Sequence, residues 1–66
     1  MNAENARNLA ALYNGKVMDM GAEVYVVLVH RMDGHVIVFT DTQVSHYRGE
    51  AAFTGGDEPI EYIDLM

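Results

Sequence analysis

The sequence predicts an α+β fold: one N-terminal helix packed on a curved antiparallel sheet of three to five short strands. Three observations carry this. Apolar residues near the start recur at helical spacing. The stretch VYVVLVHRMDGHVIVFT, Val24 to Thr40, reads as two strands around an Asp33-Gly34 turn. The rest of the chain breaks into short runs punctuated by glycine. A length of 66 residues with no internal repeat allows one domain, spanning 1–66, with one small core.

The helix is expected over Ala3 to Asn14. Ala6, Leu9, Ala10 and Tyr13 recur at spacings of three and four and form one apolar stripe. Asn2 is placed to cap the start, and Glu4 suits the positive end of the helix dipole. Asn14-Gly15 is placed to end it, with Gly15 expected in the left-handed position. The stripe is rich in alanine, so the helix can lie close against a sheet.

Lys16 to Met20 reads as a short strand, with Gly21 as a bulge or turn. Glu23 to Met32 and His35 to Asp41 are the main strands, rich in Val, Ile, Phe and Tyr. Gln43 to Arg48 is expected as a third, closed by Gly49, with a single helical turn as the alternative. TGGDE, Thr54 to Glu58, is expected to be loop. Ile60 to Leu65 forms a final short element that fits either strand or helix. One helix followed by several short strands resembles the small Sm-like and SH3-like barrels at the level of fold alone, since no motif of either is present. That resemblance implies a sheet closed into a small barrel.

Two registers are open to the central hairpin. A two-residue turn pairs Met32 with His35 and sets Leu28 opposite Phe39. A type I turn with Gly34 as a G1 bulge pairs Arg31 with His35 and sets Val29 opposite Ile37. A slip of one residue normally exchanges core for solvent. Here each face carries aliphatic pairs in both registers. A sheet with one wet face alternates apolar and polar residues, and this hairpin does not, so both sides should be covered. The helix can cover one. The C-terminal segment folded back, closure into a barrel, or a second copy of the chain can cover the other. A homo-oligomer, of which a homodimer is the simplest form, is therefore expected, because small cores often need a staple and there is no Cys to form a disulfide.

The formal net charge is -6, and five of those six charges fall after Arg48. Only Arg7, Lys16, Arg31 and Arg48 are basic, and they are scattered. Direct gripping of a nucleic-acid backbone needs clustered bases and is not expected. The opening MNAENARNLA lacks a basic and apolar leader, and the run Val24 to Val29 is too short to cross a bilayer. Together with the absence of Cys, these features predict a cytoplasmic protein away from membranes.

Catalytic constellations are sparse. Ser45 and His46 are neighbours, and in a strand they point to opposite faces, which precludes a nucleophile–base pair. Lys16 has no glycine-rich phosphate loop around it. The carboxylates near the C-terminus lack room for a sugar cleft in so short a chain. Neither an enzyme nor a cofactor is expected. His30, His35 and His46 are the candidate ligands of a small-molecule or metal-binding module, but no spacing typical of zinc sites is present, so no metal is expected.

The tail DEPIEYIDLM carries the main functional expectation. Asp57, Glu58, Glu61, Tyr62 and Asp64 form the candidate partner-binding set, with Ile60, Ile63, Leu65 and Met66 interspersed. The expected function is that of a small acidic, non-enzymatic protein that presents this surface to a basic protein partner. A nucleic-acid-mimic inhibitor, of the kind used by phage and mobile elements, is the narrower form. A ligand- or metal-binding module at the histidines and a homo-oligomer with no other partner are the alternatives.

Overall fold

Asn2 starts the first helix. Its side-chain oxygen accepts from the Asn5 N–H at 2.8 Å, satisfying one of the free donors of the first turn. Helix α1 then runs over Ala3–Tyr13 in the computed structural model, which describes residues 1–65; Met66 lies outside them. The helix ends one residue earlier than glycine chemistry predicts. Asn14, not Gly15, takes the left-handed conformation (φ 54°), as a short polar side chain permits. Gly15 is needed for space. A Cβ there would stand 2.8 Å from the Leu28 carbonyl oxygen and about as close to the Val27 and Val29 methyls, at 3.0 and 3.1 Å.

The strands follow as β1 (Lys16–Asp19), β2 (Tyr25–His30), β3 (Val36–Phe39) and β4 (Gln43–Tyr47). A short helix α2 (Glu50–Thr54) precedes the last strand, β5 (Glu61–Asp64). All five strands form one sheet in the order β1-β2-β3-β4-β5, every neighbouring pair antiparallel. The β1–β2 turn places Gly21, Ala22 and Glu23 at φ of 88°, 53° and 63°, two of them without glycine's freedom.

The sheet is not closed. β1 and β5 are its edges, so the small-barrel form implied by the Sm-like and SH3-like resemblance does not occur. The reason lies in the packing. A barrel folds one face of its sheet onto itself, whereas here each face receives a helix.

The hairpin takes the bulge register. Gly34 (φ 88°) donates its N–H to the Arg31 carbonyl at 3.1 Å, and the Arg31 N–H donates to the His35 carbonyl at 2.8 Å. Val27 pairs with Phe39 and Val29 with Ile37 on one face, while Leu28 pairs with Val38 on the other. On the first face α1 lies against β1 and β2, burying Ala6 and Ala10 against Val27. Tyr13 stacks on Phe39 with ring centres 5.3 Å apart. On the second face Val26, Leu28, Val36 and Val38 are buried, flanked by Met18, Tyr47 and Phe53.

This second cluster explains the hairpin that is apolar on both sides. Its cover comes from later residues of the same chain. Phe53 of α2 meets Tyr47 edge-on at 5.2 Å. Lys16 Nζ on β1 donates to Glu50 Oε1 at 3.0 Å, tying α2 to the edge strand β1. That hydrogen bond holds the Glu50 carboxyl below its ordinary value, against a smaller opposing effect of burial. No described helix is long and apolar enough to cross a membrane.

Candidate functional site

The acidic tail becomes an edge strand. Residues 61–64 pair with β4: Glu61 with His46, Tyr62 with Ser45, Ile63 with Val44 and Asp64 with Gln43. Every residue of β5 is exposed. Alternation along the strand divides the candidate partner-binding residues between two faces. Glu61 lies on the α1 face with Ile63; Tyr62 and Asp64 lie on the α2 face. Asp57 and Glu58 precede the strand and are exposed. The five residues therefore form a rim along one edge instead of a patch on one face.

The backbone of that edge is half used. The Leu65 N–H donates to the Thr42 carbonyl at 2.8 Å, which fixes the phase of the antiparallel ladder. Glu61 and Ile63 share that phase and bond toward β4. Tyr62 and Asp64 turn their N–H and C=O groups outward, where the described residues supply no further strand. Two contacts brace β5 from within. Gln43 Nε2 donates to Asp64 Oδ1 at 3.0 Å, and the buried Ser45 hydroxyl donates to Gln43 Oε1 at 2.9 Å.

Beside this edge lies an apolar groove of 620 Å³. Its helix wall is Asn5, Asn8, Leu9 and Leu12, and its sheet wall includes Phe39, Val44 and Leu65. The cause is the placement of α1, which covers β1 and β2 and leaves the β4–β5 side of the same face bare. Leu12 is 74% exposed, Ile63 68% and Leu65 55%. This groove has no counterpart in the sequence reading, because it depends on where the helix sits across the sheet.

The histidines separate as the bulge register requires. His30 pairs with Val36 on the α2 face, while His35 and His46 meet on the α1 face. His35 Nδ1 lies 2.8 Å from His46 Nε2, a contact that needs one ring to donate and the other to accept. Arg31 Nη1 lies 3.4 Å from the same Nε2, and Glu61 Oε1 lies 3.4 Å from His46 Nδ1. Asp33 closes the group. It accepts from the His35 N–H at 2.9 Å and from Arg31 Nη2 at 2.9 Å. The backbone N–H of His35 is the main cause holding the Asp33 carboxyl below its ordinary value, with Arg31 and the His35 ring adding to it. Arg31 thus shares the His46 Nε2 with the His35 ring. Among the described residues no group of three or more His, Cys, Asp or Glu is arranged to hold a metal ion. Ser45 and His46 lie on opposite faces of β4, as strand alternation requires.

No family model, curated protein or solved structure matches this chain.

Proposed function

We propose that this protein is a non-enzymatic interaction protein of the cytoplasm that presents the acidic rim around β5 to a basic protein partner. One observation supports the reading above the others: Asp57, Glu58, Glu61 and Asp64 collect along an exposed edge with no base after Arg48. Like charges gathered this way repel one another, so folding gains little from the arrangement. A partner of opposite charge gains faster encounter and selectivity from it. Imitation of nucleic-acid charge, in the manner of phage and mobile-element inhibitors, is the narrower form of the same reading. It predicts that the captured partner loses its own nucleic acid on binding.

The test is capture from extract of the native cell, comparing wild type with the variant Asp57→Asn, Glu58→Gln, Glu61→Gln, Asp64→Asn. The amides keep the acceptors that meet His46 and Gln43, so the variant should melt no lower than wild type. Its recovery of the partner should fall several-fold at low salt, and the difference should shrink at high salt as screening weakens the wild-type attraction. Equal recovery at low salt would remove the acidic rim from consideration.

Self-association is the second reading, favoured by the exposed Leu12, Ile63 and Leu65 beside the groove. Light scattering across a dilution series tests it, and a monomer mass at the highest concentration rejects it.

A further inference from the structure

The groove and the open edge lie side by side, and together they describe a shape that a strand fills. We propose that β5 is completed by an extended segment of the partner, added as a sixth strand. This rests on the basic-partner reading and goes further in naming how the partner binds. An added strand takes its main-chain hydrogen bonds from the edge and its selectivity from alternate side chains.

The position of each side chain of the incoming strand follows from β5. A residue alongside Ile63 falls on the α1 face, where Leu12, Val44 and Leu65 offer apolar contact at the groove. Residues alongside Tyr62 and Asp64 fall on the opposite face, where the Asp64 carboxylate calls for a base. Asp57 and Glu58, just before the strand, extend the same demand, while Glu61 lies on the α1 face against His46. The segment is therefore extended and alternates basic with apolar residues. A second copy of this chain matches less well: its β5 would bring acids to a rim that already carries four, and its β1 offers one base, Lys16, already bonded to Glu50.

Main-chain bonding separates strand addition from plain charge attraction. The sheet is antiparallel throughout. An antiparallel sixth strand bonds to the outward N–H and C=O groups of Tyr62 and Asp64 through the residues directly opposite them. Those are the basic residues; the N–H groups of the apolar residues point away to solvent.

The experiment uses the full chain, labelled with nitrogen-15, and the end-blocked peptide Lys-Val-Lys-Val-Lys-Val. Two isomers carry the same charge, one with N-methyl groups on every lysine and one with them on every valine. The parent peptide should bind and shift the amide resonances of Tyr62 and Asp64. The N-methyl-lysine isomer should bind at least tenfold more weakly, and the N-methyl-valine isomer within about twofold of the parent. The reverse preference also supports an added strand, in the parallel sense. Equal binding by both isomers overturns strand addition and leaves the acidic-rim reading standing. Equal binding of the parent peptide by the variant with all four acids neutralised overturns the acidic-rim reading instead. Failure of the parent to bind, or a self-associated chain that the peptide does not dissociate, overturns the inference and gives the edge to another occupant.

Discussion

Gly15 packs against Leu28 so closely that a methyl group at residue 15 would lie 2.8 Å from the Leu28 carbonyl oxygen. The contact sets how near the end of α1 comes to β2. It belongs to backbone and not to the tip of a flexible side chain, so nothing nearby can swing aside.

Gly15→Ala is therefore expected to destabilise the fold by about 2 kcal/mol, within the range for overpacking a tight site and after the smaller gain from stiffening the unfolded chain. Urea unfolding measures it. A midpoint equal to wild type would show that the helix can back away from the sheet at no cost.

The β1–β2 turn should respond in the opposite direction. Ala22 sits at φ 53° with its side chain exposed, a conformation that costs an L-residue on the order of 1–2 kcal/mol. Ala22→Gly relieves that cost and gives back roughly half through the freer unfolded chain. The expected net gain of about 0.5 kcal/mol raises Tm by roughly 2–4 °C for a chain of this size. Calorimetry checks the sign, and a lower Tm would refute the assignment of strain to residue 22.

Asp33 supplies the pH dependence. Its carboxyl is held below the ordinary value by the His35 N–H, with Arg31 assisting. A lowered folded-state value contributes stability that is fully present above the ordinary carboxylate range and is lost as pH falls through the folded value. Asp33→Asn keeps an acceptor for the turn and removes the charge. Wild type should melt above the variant at neutral pH, and the two curves should converge in acid. A gap that persists or widens on acidification contradicts the argument.

How much of this was legible in sequence depended on whether the signal was local. Asn2, the Ala6–Ala10 stripe and Asp33-Gly34 act within a few residues of themselves, and each forms the structure its chemistry implies. The hairpin register was not legible, because both faces of Val26–Val29 and Val36–Phe39 are apolar and either pairing buries them. Helix α2 was missed because five residues are too few to show a helical period. Its role depends on Phe53 reaching Tyr47 and Glu50 reaching Lys16, contacts that no local pattern encodes. The acids of the rim were visible as a charge run. Their distribution over two faces of an edge strand became visible only once β5 was known to be a strand.

The open sheet has a further meaning in the terms of polymer growth. A barrel is a closed ring with no reactive ends, whereas this sheet has two, β1 and β5. Joining the β5 of one copy to the β1 of the next is a head-to-tail contact, and contacts of that kind build filaments unless their rotation closes a ring. The two ends differ chemically, since the charged residues of β1 are Lys16 and Asp19 while those of β5 are both acids. A partner strand seated on β5, as proposed, would remove one of the two ends and act as a chain stopper. On the proposed mode of binding, recognition of a partner and protection from filament growth would be one event at this edge.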